Sequence, residues 1–305
     1  MQTSPKQPHV VVLANHKGGS GKSTLAMHII VAFLKAGRRV GAIDLDTDQR
    51  SLTRYVENRM DWSNRSKINL SVPDHSCIES VPSKTSANDS RISALLSRLE
   101  MMQRKNDLIV IDTAGGGGEL NVFAHGLADT LITPINDSFL DLDVIDSRRE
   151  GSPSPYTETV RKALEARRSV TKRTTDWVVV RNRLSPLSSR NQRDVLYALE
   201  RIASQAGFRV ASGLLERVVY RQFFPTGLTA FDTLEASTLG IKPTLSHLIA
   251  RMEVRALLSS LLLFPQEDGG NEHPLAPNLE PPGAEPDLNR MDVQAAIRTL
   301  LNSRN

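Results

Sequence analysis

His9-Val-Val-Val-Leu-Ala-Asn-His-Lys-Gly-Gly-Ser-Gly-Lys-Ser-Thr24 decides the fold. Its first seven residues are a short apolar run, the mark of a strand buried on both faces. A glycine-rich turn follows. From Lys22 to Lys35 the residues Leu25, Ile29, Ile30, Phe33 and Leu34 recur at helical spacing, and Gly37 closes that helix. Strand, glycine-rich turn and helix in that order are the setting of a phosphate-binding loop. Gly18, Gly19 and Gly21, with Ser20 between them, let the backbone curl so that its N–H groups face phosphate oxygens. The helix adds the positive end of its dipole. Lys22 is placed to reach the β- and γ-phosphates, Ser23 to ligate Mg²⁺ and Thr24 to sit by the α-phosphate. The general pattern GxxxxGK[ST] fails at one position, where His16 replaces the first glycine, and an additional lysine, Lys17, opens the loop.

Outward from this loop the chain alternates strand-like and helix-like segments. Apolar runs at 39–45, 107–112, 130–134 and 176–181 read as further strands, with another at 207–210. The pattern predicts an α/β fold, a doubly wound and mostly parallel sheet with helices on both faces. Two acids, Asp44 and Asp46, end the second strand, and Asp112 ends the third. Acids at the C-terminal ends of parallel strands lie on the ligand-binding edge of such a sheet. Residues 71–90, rich in Ser and Pro, read as a loop. Residues 148–173 hold eight basic side chains, and a helix over about 187–206 carries Arg190, Arg193 and Arg201 on one side, with Arg183 just before it.

Composition narrows the class. The 305 residues include one cysteine, Cys77, which excludes a disulfide framework or a multi-cysteine metal centre within one chain. No apolar run approaches the roughly 18 residues of a membrane span, and the N-terminal stretch lacks a signal-peptide pattern, so a cytoplasmic protein is expected. The net charge of +4 conceals an asymmetry: beyond residue 264 the chain has three Arg against seven acids, so the first 264 residues are strongly basic. An anionic partner fits that body. Residues 265–289, with six Pro and six acids, read as a disordered linker, and 290–305 as a short helix. That helix is too weakly basic to hold a membrane.

The run Lys17-Gly-Gly-Ser-Gly-Lys-Ser-Thr24, Asp44-Leu-Asp46 and Asp112-Thr-Ala-Gly-Gly resemble the deviant Walker A, switch and Walker B motifs of the ParA/MinD superfamily. More specific stretches, Asn136-Asp-Ser-Phe-Leu-Asp-Leu-Asp143 and Asp176-Trp-Val-Val-Val-Arg-Asn-Arg-Leu184, are similar to the MipZ family of division-plane ATPases, over about residues 9–264. The resemblance implies a slow ATPase using ATP and Mg²⁺, in which two chains sandwich the nucleotides as a homodimer and Lys17 reaches the partner's nucleotide. It implies that Asp46 positions the attacking water, that Asp44 and Asp112 support the magnesium, and that Asn182 reads adenine with Arg217 at its border. A strand-end turn is the plain alternative for Asn182. The implied partners are FtsZ, whose polymerisation is inhibited, ParB, which promotes dimer formation, and nonspecific chromosomal DNA. Arg183, Arg190, Arg193 and Arg201 are the candidate DNA contacts, with a solvated basic face as the alternative. Location on the nucleoid, graded from the poles, follows from the same resemblance. A ParA-type partitioning ATPase shares almost every one of these chemical residues. This chain has Ala114 where the superfamily usually has Pro.

Overall fold

The computed structural model describes residues 7–79, 87–146, 154–185 and 190–263. Seven parallel strands form one sheet: β1 His9–Leu13, β2 Val40–Asp44, β3 Asp74–Cys77, β4 Leu108–Asp112, β5 Thr130–Asn136, β6 Asp176–Asn182 and β7 Arg209–Ala211. Their order is β3-β2-β4-β1-β5-β6-β7. The helices are α1 Lys22–Lys35, α2 Ser51–Ser66, α3 Ala87–Gln103, α4 Glu119–His125, α5 Phe139–Leu142, α6 Pro155–Thr171, α7 Arg190–Ala206, α8 Val218–Phe223, α9 Ala236–Leu239 and α10 Leu245–Leu261.

The central strands are apolar throughout because both faces are covered. Pleating sends Val11 and Leu13 of β1 into a core with Leu25 of α1, Tyr55 of α2, Phe223 of α8 and Val254 of α10. Val10 and Val12 enter the opposite core with Leu95 of α3, Leu120 of α4, Val160 of α6 and Leu199 of α7. Strand register fixes the functional edge. Asp112 of β4 lies opposite both Leu13 of β1 and Asp44 of β2, so the phosphate loop and both acidic strand ends emerge side by side. β1 is flanked by β4 and β5, and the crevice at this change of direction is where open α/β sheets bind ligands.

The expected loop over 71–90 is corrected: Asp74–Cys77 is an edge strand paired with β2, and α3 begins at Ala87. Asp-His-Ser-Cys has no apolar run because none of its four residues is fully buried. Its partner strand rather than its own propensity makes it extended. The last strand begins two residues later than expected, since Gly207, at φ +81°, still belongs to the turn leaving α7. The first part of the basic run 148–173, the start of the helix expected from 187, the linker 265–289 and the helix 290–305 lie outside the described residues.

Candidate nucleotide site

The loop after β1 is held from several sides. Asn15 donates to Pro134 O and accepts from Lys17 N at 2.9 Å. Gly21 has φ +89°, and a Cβ there would lie 2.1 Å from Nδ2 of Asn182, so only glycine fits. Asn182 Nδ2 donates to Ser20 O at 2.8 Å. The loop after β4 closes onto the same segment: Gly116 N donates to His16 O at 2.8 Å, and Asn121 Nδ2 donates to Ala114 O and Gly116 O.

Inside this frame two charged groups lack adequate partners. Lys22 is 7% exposed, and its ammonium makes one long hydrogen bond, to Lys17 O at 3.5 Å. Burial pushes its pKa down, against the pull of Asp112 and Asp46. Asp112 is 1% exposed and its Oδ1 has no partner. Burial pushes its carboxyl up to about 7, while a hydrogen bond from Ser23 and the charge of Lys22 pull it down. Ser20 Oγ is also buried without a partner. Buried polar atoms are ordinarily satisfied. These orphaned groups fit an anionic ligand and a cation: Lys22 and the loop N–H groups would meet phosphate, and Ser23 with Asp112 would hold Mg²⁺.

Asp44 is fully buried and engaged within the chain. Its Oδ1 accepts from Asp46 N, and its Oδ2 from Thr53 N and Oγ1, all within 2.9 Å. The carboxylate thus ties the end of β2 to α2 and sets the backbone of Asp46. Asp46 is half-buried, and its Oδ1 accepts from Gln49 N at 2.9 Å. Lys17 points away from the loop: its Nζ lies 2.6 Å from Oδ1 of Asp141 in α5. A cavity of about 320 Å³ opens beside Gly21 and Thr24, walled by Asn182, Arg183, Arg217 and Tyr220. Arg217 is held there by Glu253, its Nη2 donating to Oε1 at 2.6 Å and its Nε to Oε2 at 3.1 Å.

The sequence model of one family, described as ATPase MipZ, matches residues 9–265. This chain belongs to the MipZ family of ATPases. Among curated relatives it is 27% identical over 137 residues to Protein virC1 of Rhizobium rhizogenes, which is 44% of this chain. The match to Protein virC1 of Rhizobium radiobacter is 28% over the same length. The chain spans about half the length of these relatives, 52% in each case. Apo McdA from Cyanothece has a TM-score of 0.53 at 19% identity, covering 83% of this chain and 99% of that one. A plasmid partition protein from Borrelia burgdorferi bound to AMPPNP gives 0.51 at 18%, covering 81% and 99%. At these identities the structures show the fold.

In this MipZ-family chain the expected DNA contacts separate. Arg193 and Arg201 are exposed on α7, and Arg190 opens that helix. Arg183, exposed with φ +53°, lines the cavity beside the loop. Among residues the sequence motifs leave out, Thr53, Asn121 and Asp141 brace the site. Asp141 stands inside the Asn136–Asp143 stretch, but nothing local shows that it meets a lysine 124 positions away.

Proposed function

We propose that this chain is an ATP-gated dimerising switch that restrains FtsZ polymerisation while its ATP dimer rests on chromosomal DNA. The observation that carries this is the pair of under-satisfied buried charges, Lys22 and Asp112, beneath a glycine loop at the sheet's switch point. Such a site is completed by a nucleotide and a cation. Ser23 and Asp112 would hold a magnesium ion there, which when bound would supply positive charge against the phosphates. Ser23 and Asp112 orient that cation, and Lys22 neutralises the phosphates. Asp46, on the backbone set by Asp44, orients the attacking water. Lys17, released from Asp141, supplies positive charge across the dimer interface. The loop after β4 touches the phosphate loop at Gly116 and transmits the state of the γ-phosphate.

Membership of the MipZ family supports FtsZ as the target, with ParB promoting dimer formation. Arg190, Arg193 and Arg201 serve the DNA, whose contacts are ionic and salt-sensitive. The dimer doubles that surface and couples nucleotide state to DNA affinity. The fold likeness to a plasmid partition protein favours a second reading, a partitioning ATPase without effect on FtsZ. Sedimentation of FtsZ with GTP separates the two. Asp46→Ala protein loaded with ATP is expected to reduce pelleted polymer, and the ADP-loaded protein to leave it unchanged. Equal pelleting with both forms, with DNA binding intact, gives the partitioning reading.

A further inference from the structure

Helix α7 carries an aromatic residue whose position packing does not explain. Val195, Leu199, Ile202 and Ala206 bury one face of the helix against the sheet. Tyr197 stands on the other face and is 74% exposed. Among the described residues it has no hydrogen-bond or ring partner. Aromatic side chains usually bury most of their surface, and a tyrosine hydroxyl is commonly wet while the ring is not. Here the ring is in water too.

Its neighbours are informative. Arg193 lies four residues before Tyr197 and Arg201 four after, so the three form one stripe, each about one 5.4 Å turn from the next. Both arginines are exposed, and among the described residues neither has an ion-pair partner. Some exposed arginines are paired, Arg39 with Asp107, Arg104 with Glu100 and Arg221 with Glu216, whereas Arg54, Arg161 and Arg168 are exposed without an ion pair among the described residues; what sets Arg193 and Arg201 apart is the aromatic ring between them. The acids on this helix, Asp194 and Glu200, fall on opposite flanks of the stripe at 100° per residue.

We infer that Tyr197 is a DNA-contacting residue, packing its ring against the sugar-phosphate backbone between phosphates held by Arg193 and Arg201. This deepens the DNA reading above and rests on it. The occupant is nucleic acid because the stripe's single aromatic group is bracketed by unpaired guanidinium groups. Tyrosine and arginine also occur at protein–protein contacts, and charge decides between the two: the first 264 residues are strongly basic and neither guanidinium of the stripe has a carboxylate partner among the described residues, which suits a polyanion. Tyrosine hydroxyls and arginines are regular phosphate contacts. The ring adds a contribution that releases no counterion, so its signature differs from that of an arginine.

The test is fluorescence anisotropy with a short random-sequence DNA duplex, in Mg²⁺ and AMPPNP, across a KCl series. Tyr197→Ala is expected to weaken binding roughly five- to tenfold at every salt concentration, the low end for an aromatic contact with nucleic acid. The slope of log affinity against log salt stays unchanged. Arg193→Ala is expected to reduce that slope by about 0.9 for each protomer that contacts the duplex. Tyr197→Phe keeps most of the affinity. The urea midpoint stays the same in all three, because Tyr197 and Arg193 are exposed and leave the core untouched. Unchanged affinity in Tyr197→Ala overturns the inference and leaves the DNA reading standing on the arginines. A parent chain that shows no AMPPNP-dependent DNA binding overturns the DNA reading and this inference together.

Discussion

Asp232 and Asp112 are equally hidden from water, at 0% and 1% exposure, and are treated in opposite ways. Asp232 sits in the loop before α9 and meets Arg59 of α2 through two hydrogen bonds of 2.7 and 2.8 Å. Thr229 N donates a third, and Arg251 braces the same loop through Ala230 O and Asp232 O. Burial would push the Asp232 carboxyl up, but the charge and hydrogen bonds of Arg59 outweigh it and hold the group below its ordinary range. Asp112 has no such guanidinium, one oxygen is orphaned, and its carboxyl rises to about 7. The first acid completes the fold. The second is left incomplete by the fold, which is why the proposed ligand site is placed there.

Breaking the satisfied pair has the largest expected effect. Asp232→Asn leaves Arg59 buried without its counter-charge and is expected to cost about 3–5 kcal/mol, read as a lower urea midpoint. A shift no larger than that of a surface substitution contradicts this account of Asp232. Asp112→Asn shows the converse. Unfolding of the nucleotide-free chain is expected to be unchanged or harder, since a poorly solvated carboxyl is removed. Mg²⁺-dependent ATP hydrolysis is expected to fall at least roughly tenfold, as for groups that orient a metal. Hydrolysis at the parent rate removes Asp112 from the site.

A third prediction uses protons. His28 and His125 are both buried, and burial lowers each to about 4. His28 Nε2 accepts from Ala230 N, and its Nδ1 meets Thr24 O, so the ring is a neutral bridge from α1 to the Asp232 loop. Unfolded histidine titrates near 6.5. Between about pH 6.5 and 4 the unfolded chain therefore binds more protons than the folded one. Stability falls as pH falls through that window, by about 1.4 kcal/mol per pH unit for each proton taken up. His28→Gln is expected to make that slope shallower in urea unfolding series, and an unchanged slope contradicts the neutral bridge. The smallest effect on stability belongs to Lys17–Asp141, whose lysine is 35% exposed. Asp141→Asn is expected to cost under about 1 kcal/mol, yet to strengthen AMPPNP-dependent dimerisation by freeing Lys17. Weaker dimerisation means instead that Asp141 assists the dimer.

What was legible in the sequence follows from range. The β1–loop–α1 unit is contiguous, and glycine spacing carries its chemistry within a few residues. Asp44 and Asp112 were legible as strand ends, because apolar runs stop at them. The full engagement of Asp44 was not, since Thr53 lies beyond a turn and α2 has no visible tie to β2. Arg59 and Asp232 lie 173 positions apart, and each alone reads as a surface charge. β3 was illegible because its four residues are polar and only its partner strand orders them.

The central claim is that nucleotide completes the Lys22–Asp112 site and thereby joins two chains. Light scattering of the purified chain with Mg²⁺ and AMPPNP, with ADP, and with AMPPNP after Lys17→Gln tests it most directly. The account predicts a dimer mass in the first case and a monomer mass in the other two. A monomer with AMPPNP, or a dimer of equal mass in all three, contradicts it.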